Sequence, residues 1–376
     1  MMHSSEVESK KIKKMAWITS AGLVETDIHV VPELAKDYSI DWYIIKEVYE
    51  SLEFEDELNK LAAIESLEIN IIRLSGKRLG LGRLRTYRNI LQCFNKYDLV
   101  YTTIIGVPYY IPTLRRHVDR KKVIVAAHNV TLPKGVTHVV IKSLYQKYAY
   151  LSFFMFDTFS KSQCDLLKKM LPNKKVFYTP FMLKDYGNPQ KDRQDKRITF
   201  LCYGTIKEYK RHDVVIRAAE NLYKKGLDNF KVIIAGVGDY WKECEPLIHS
   251  KELFDLRIYR IKNEDVPDVF NESDYLVLPY QGIAQSGAAI VGVNYELPII
   301  ASNLEAFGEY IDDGVNGYLI DPANQNALEE VMEKCILEYE DNYDFLHKSM
   351  RDTKESKFSA EAVLQAYKNM IENANV

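Results

Sequence analysis

Three clusters in the second half of the chain have residue types and spacings suited to holding a diphosphate. In YQGIAQSGAAIVGVNYELPII (Tyr280 to Ile300) an apolar run ends at Pro279, and Gln285, Ser286, Gly287 and Ala288 open a helical pattern. Small residues there leave the first backbone N–H groups of a helix open, and such donors, aligned with the helix dipole, form an anion site. The same Ser-Gly pair also fits a serine-capped helix with no ligand. In FLCYGTIKEYKRHDVVIRA (Phe200 to Ala218) an apolar run turns at Gly204 and Thr205, and Lys207, Lys210 and Arg211 precede the next helical pattern. Cations at that point would neutralise a departing diphosphate without a metal, although a lysine and arginine cluster in a loop equally fits a solvated face. IIAGVGDY (Ile233 to Tyr240) carries Gly236 and Gly238, a G-x-G that says little by itself. No clustered carboxylates or His/Cys set with ligand spacing accompany these loops, so neither a metal nor another cofactor is expected.

The elements that must position these loops are short apolar runs alternating with amphipathic helical stretches, the pattern of parallel α/β layers. Met15 to Thr19, Asp41 to Lys46, Ile69 to Leu74, Asp98 to Thr103, Lys122 to His128, Met155 to Ser160 and Lys175 to Pro180 read as strands. Leu84 to Phe94 and Lys161 to Leu171 have helical spacing. The polar stretch Leu183 to Arg197 reads as a linker. A second series follows at Ile198 to Gly204, Lys231 to Gly236, Leu256 to Ile261, Tyr275 to Tyr280 and Pro298 to Ser302. The expected fold is therefore two Rossmann-like parallel-sheet domains facing a central cleft, with ligands beyond the carboxyl ends of the strands. Such an architecture alone does not fix a function.

Composition agrees: 376 residues exceed a single usual core. Charges of both signs are mixed, and a formal net charge of −3 gives no reason to expect nucleic acid as a partner. Five cysteines stand singly, without a C-x-x-C pair, and fit reduced structural thiols. The first residues lack the apolar segment of a signal peptide, and no apolar run reaches the ~20 residues of a bilayer span. These features lead us to expect a cytoplasmic protein.

In order and spacing these loops resemble the nucleotide-binding half of glycosyltransferase family 4, the retaining enzymes of the GT-B fold. Gly204 and Lys210 match that family's glycine and lysine after the first strand of the donor domain, Gly236 and Gly238 its second turn, and QSGAAIVGVNYELPIIAS its diphosphate helix without a gap. VPDVFNESDYLVLPY (Val266 to Tyr280) and DDGVNGYLIDPAN (Asp312 to Asn324) match further segments, so the specific likeness runs from about Phe200 to Leu328. The resemblance implies a transferase that moves a sugar, with retention, from a nucleotide diphosphate donor to a carbohydrate or lipid-linked carbohydrate acceptor. Gly204, Thr205, Lys210, Arg211, Gln285, Ser286, Gly287 and Ala288 would hold the diphosphate, and Gly236, Gly238, Ile261, Lys262 and Val291 would lie by the nucleotide. It further implies an acceptor domain over residues 1–188, joined by a C-terminal helix from residue 359, and a donor domain over residues 196–358. In the first half Ala21 and Gly22 stand where the family has a double glycine. His128, in AAHNV, falls where related enzymes often carry a histidine near the transferred sugar, although a histidine that merely caps the strand end fits as well.

The family pattern also breaks. Its two glutamates fall on Ile283 and Val291, which cannot accept a hydrogen bond, and on an ideal helix Glu296 would be turned about 140° away from Val291. Glu296 itself replaces a glycine, Glu305-Ala306 a double glycine, and Thr205 an arginine for which Lys207 or Arg211 could substitute. A catalytically silent relative that binds a nucleotide or partners another transferase is the alternative. Finally, Lys77, Arg78, Arg83, Arg85 and Arg88, followed by LRRHVDRKK (Leu114 to Lys122), form basic runs interleaved with leucine and tyrosine. They suit an anionic membrane surface at its inner face, a lipid-diphosphate acceptor, or a solvated face.

Overall fold

The computed structural model describes residues 14–48, 55–76, 80–130, 139–283 and 286–374. These form two compact units, Met1–Met182 with Ala360–Val376, and Leu183–Ser359. Lys77 and Arg78 lie outside the described residues.

The sheet of the first unit has seven parallel strands, β1 (Lys14–Ser20), β2 (Ser39–Glu47), β3 (Leu67–Leu74), β4 (Leu99–Thr102), β5 (Val123–Ala126), β6 (Met155–Thr158) and β7 (Lys175–Tyr178), in the order β3-β2-β1-β4-β5-β6-β7. Its helices are α1 (Val24–Asp27), α2 (Val31–Leu34), α3 (Glu55–Leu61), α4 (Leu81–Leu91), α5 (Tyr110–His117), α6 (Val139–Ser152) and α7 (Lys161–Met170). The strands read as continuous apolar runs because both faces are covered. Trp17, Trp42 and Ile124 pack with Val31, Leu34 and Leu58 on one face. Ala16, Val100 and Phe156 pack with Tyr87, Leu114, Phe153 and Leu167 on the other, beneath α4 to α7.

Two carboxylates sit in this core without an ion pair to any described residue. Asp27 accepts from Trp17 Nε1 at 2.9 Å and from the Thr19 hydroxyl. Asp157 accepts from Tyr101 Oη at 2.8 Å, Thr179 Oγ1 at 2.6 Å and the Thr158 amide at 2.8 Å. Burial outweighs these donors and pushes Asp27 up to about 6 and Asp157 up to about 7.

The second unit carries β8 (Ile198–Tyr203), β9 (Phe230–Ala235), β10 (Phe254–Arg257), β11 (Tyr275–Leu278), β12 (Ile299–Ser302) and β13 (Gly317–Ile320) in the order β10-β9-β8-β11-β12-β13. The helices are α8 (His212–Lys224), α9 (Trp241–Cys244), α10 (Val266–Asn271), α11 (Gly287–Asn294), α12 (Gln325–Leu337) and α13 (Tyr339–Thr353). The last helix, α14 (Ala360–Asn373), belongs to the first unit, where Val363, Tyr367 and Met370 join the core beside Trp17.

The structure shortens one strand read from sequence, adds another, and shows how the linker stretch is held. The strand read over Leu256 to Ile261 is β10, which ends at Arg257 because the Tyr259 amide turns back to the Arg257 carbonyl at 2.9 Å. An edge strand, β13, was not foreseen; a Cβ on its Gly317 would lie 2.1 Å from the Ile299 carbonyl oxygen, so glycine is what lets the two backbones pair. The stretch Leu183 to Arg197 is irregular yet fastened. Amides of Gln190 and Lys191 donate to Asp268 at 2.6 and 3.1 Å, and Arg193 forks onto the buried Asp274 at 2.7 Å on each arm.

Candidate active site

In the second unit the chain leaves β8 through Gly204 at φ 106°, a backbone conformation open to glycine. It leaves β9 through Gly236, where a Cβ would meet the Gly204 carbonyl oxygen at 1.8 Å. At Gly238 a Cβ would meet the Ile206 carbonyl oxygen at 1.9 Å. The ladder continues past the strand ends, from the Gly204 amide to Ala235 at 2.9 Å and from the Ile206 amide to Val237 at 3.0 Å. Both glycines of the G-x-G are thus required for two loops to lie backbone against backbone.

That packing sets Lys210 in place. The residue is 8% exposed, and its Nζ lies 3.2 Å from where a Cβ on Gly204 would sit and 5.4 Å from the centre of the Tyr280 ring. It makes no ion pair with any described residue, and burial lowers its pKa to about 8. The adjoining His212 is buried with Nδ1 unpartnered. Burial, followed by the Lys210 charge, pushes it down to about 4, so a neutral imidazole stands beside the ammonium. The rest of the cation cluster is otherwise engaged. Arg211 forks onto Asp213 at 2.9 Å on both arms, and Lys207 stands on the surface 3.7 Å from Asp239. Thr205 is exposed.

The loop after β11 meets this corner. The Gln281 amide donates to the Tyr209 carbonyl at 2.7 Å, and Tyr280, 2% exposed, lies with its ring by Lys210 and its hydroxyl on the Ser286 side chain. Ser286 then caps α11, accepting from the Ala289 amide at 3.2 Å. The amides of Gly287 and Ala288 have no acceptor among the described residues, and nothing stands within 4 Å of where a Cβ on Gly287 would be. The serine cap and the open helix end therefore coexist, and Tyr280 touches both Lys210 and the capping Ser286. Sequence reasoning passed over Tyr280, since an aromatic residue ending a buried strand carries no signal beyond packing.

Other expected positions stand differently. Val291 is 2% exposed and turned into the interior, so it presents no surface to a nucleotide. Lys262 is on the surface with Glu264 at 3.3 Å, and Ile261 lies four residues beyond the end of β10. Gln285 lies outside the described residues. In the first unit Ala21 and Gly22 begin a single turn after β1, with Gly22 exposed. His128 follows β5, half-buried, with Phe159 and Phe181 edge-on at 5.9 and 5.7 Å and Nδ1 unpartnered. Burial lowers its pKa, which favours the neutral ring. Its loop is tied down where Gln146 Nε2 donates to the Val130 carbonyl at 3.1 Å and the Val130 amide donates to Gln163 at 2.9 Å.

Residues 187–352, which hold this corner, match the family model described as Glycosyl transferases group 1. An uncharacterised glycosyltransferase of Methanocaldococcus jannaschii is 28% identical over 138 residues, 36% of this chain and 37% of that protein, so the chain spans about a third of that relative's length. A glycosyltransferase from Rickettsia africae superposes with a TM-score of 0.74 at 17% identity, over 97% of this chain and 99% of that one. HepE from Anabaena, solved with UDP and glucose, superposes with a TM-score of 0.70 at 12% identity, over 96% of this chain and 100% of that one. These likenesses show the GT-B fold. Among the described residues of this GT-B chain no group of His, Cys, Asp or Glu side chains could hold a metal ion, and no helix is long and apolar enough to cross a membrane.

Proposed function

We propose that the chain is a family 4, retaining glycosyltransferase, moving a sugar from a nucleotide diphosphate donor to a carbohydrate or lipid-linked acceptor hydroxyl in glycoconjugate or polysaccharide assembly. The observation that carries this reading is Lys210, a buried ammonium with no carboxylate partner among the described residues, set against the Tyr280 ring whose hydroxyl reaches Ser286 at the head of α11. A buried charge without a partner is costly, and a diphosphate would supply one. In the reaction the bond from the anomeric carbon to the diphosphate breaks, its electron pair leaving with the phosphate oxygen. The acceptor oxygen bonds that carbon, and its proton passes to the departing diphosphate. Lys210 and the amides of Gly287 and Ala288 stabilise the charge so formed. Neutral His128 would bind a donor hydroxyl or phosphate oxygen.

Thermal unfolding with uridine, guanosine and thymidine diphosphates in EDTA tests the reading. At least one should raise the melting temperature, because a ligand at a hundred times its Kd adds about 2.7 kcal/mol to the native state. No stabilisation by any of them, or stabilisation only on adding magnesium or manganese, would overturn it. The apolar residues at Ile283 and Val291 favour a second reading, a GT-B protein that binds nucleotide without turnover. It predicts a shift with diphosphate and no transfer or hydrolysis across a panel of nucleotide sugars.

A further inference from the structure

Helix α6 is apolar on the wrong side for a helix that only covers a sheet. Its inward face carries Gln146, Ala149 and Tyr150, all buried. At ~100° per residue, Val140, Ile141, Leu144, Tyr148 and Leu151 fall on an outward arc of about 100°. Val140, Ile141, Leu144 and Leu151 are 54–78% exposed. Beside that stripe, α5 and α4 enclose a groove of about 800 Å³ lined by Leu81, Leu84, Arg85, Arg88, Arg116 and His117, with no acid in its lining. Arg85, Arg88 and Arg116 make no ion pair with any described residue, and Leu81 is 78% exposed. Aromatic rings join the two features. Arg115 lies over Tyr148 at 5.5 Å, and Arg120 and Lys174 flank Phe154 at 5.5 and 4.5 Å. Between Gly76 and Ser152 the chain has fourteen lysines and arginines against two acids, Asp98 and Asp119, although the whole carries a formal net charge of −3.

We propose that this face, α4, α5 and α6 of the first unit, docks on an anionic lipid bilayer, with the α6 stripe in the acyl boundary and the arginines at the headgroups. An apolar stripe edged by cations and rings is the composition of an interfacial helix, and unpaired cations beside it select an anionic surface. Through Gln146 the inner side of α6 holds the loop of His128, so docking brings that loop to the lipid surface. The proposal does not depend on the donor site.

The test is co-sedimentation of the full chain with vesicles of phosphatidylcholine containing 30 mol% phosphatidylglycerol, and of phosphatidylcholine alone, at about 0.1 M salt. The wild type should pellet with the anionic vesicles only and be released at 0.5 M salt. Each basic residue near such a surface contributes roughly fivefold in partitioning. Arg85→Glu/Arg88→Glu/Arg116→Glu should therefore lower it ~100-fold, and Leu144→Ser/Leu151→Ser at least ~10-fold. Circular dichroism and stabilisation by uridine diphosphate should stay as in the wild type, which also separates failure here from failure of the transferase reading. Wild-type protein left in the supernatant would overturn the proposal. So would serine variants that bind like the wild type while polyphosphate competes, which marks a soluble polyanion site. A dimer in sedimentation velocity that the serine changes dissolve would overturn it too, by making a second copy the occupant.

Discussion

Replacing Lys210 by methionine separates what this residue costs the fold from what it does for a ligand. Burial takes its pKa from 10.5 to about 8. At about 1.4 kcal/mol for each tenfold, holding the ammonium charged at neutral pH costs the unliganded protein about 3 kcal/mol. Methionine keeps the unbranched shape of the side chain, one atom shorter, and removes the charge, losing a cation–π contact with Tyr280 of about 1 kcal/mol. Lys210→Met should therefore stabilise the free protein by ~1–3 kcal/mol, read from urea unfolding at pH 7. The same change should weaken uridine diphosphate binding by ~1.5–3 kcal/mol in calorimetry, since a hydrogen bond to a charged group is lost. The dependence on pH has a defined sign. Between about 8 and 10.5 the unfolded chain retains a proton that the folded Lys210 has released, so wild-type stability gains as pH rises through that window and the variant shows no such gain. Diphosphate affinity moves the other way, falling as pH climbs past 8 and the cation is lost. A methionine variant less stable than the wild type and equally good at binding uridine diphosphate would refute the reasoning.

Three further outcomes follow from particular residues. Glu296 is held at φ 61°, and its carboxylate takes Arg351 at 2.7 Å and Lys354 at 3.1 Å. Glu296→Gly relieves about 1 kcal/mol of backbone strain while losing two partly exposed ion pairs, so urea midpoints should barely move, whereas Glu296→Ala should lose ~1–2 kcal/mol because it keeps the strain. Asp157 is pushed up to about 7, so between about 4 and 7 the folded state holds a proton that the unfolded chain has released, and its contribution to stability is lost as pH rises through that window. Asp157→Asn should flatten the melting temperature against pH between 5 and 7, and an unchanged slope would show the acid to be ionised throughout. His128→Ala should reduce kcat far more than it changes donor affinity, and steady-state kinetics beside calorimetry of the same variant decide this.

The fold was legible because a parallel sheet covered on both faces leaves its strands as apolar runs. Trp17, Trp42 and Val100 could be placed on strands from that signal alone. What escaped were elements fixed by a contact far along the chain. Nothing local marks Gly317 as an edge strand, since its reason is the Ile299 carbonyl. Nothing local shows that the polar stretch near Arg193 is gripped, since the grip is Asp274, eighty-one residues later. Composition reads such a segment as a tether because it counts charges without seeing which are paired.

The same limit governed the candidate site, where Lys207, Lys210 and Arg211 carry equal charge on the page and unequal roles in space. Asp213, two residues on, takes Arg211, the exposed Asp239 stands by Lys207 at the surface, and of the three only Lys210 is folded under a glycine turn onto Tyr280. Departures from the family pattern divide along a similar line. Position 296 needs a left-handed backbone, so glutamate there is tolerable only with the compensation that Arg351 and Lys354 give it. Position 291 carries no hydrogen-bond acceptor, and its valine lies in the core. At the head of α11, however, the groups proposed to bind the diphosphate are the N–H groups of Gly287 and Ala288. Because those donors belong to the backbone, substitutions further along the helix leave them in place. The anion binding proposed for this corner would therefore withstand the sequence changes that remove a side-chain grip on the nucleoside, and selectivity for the nucleoside is where the proposal expects this chain to differ from its relatives.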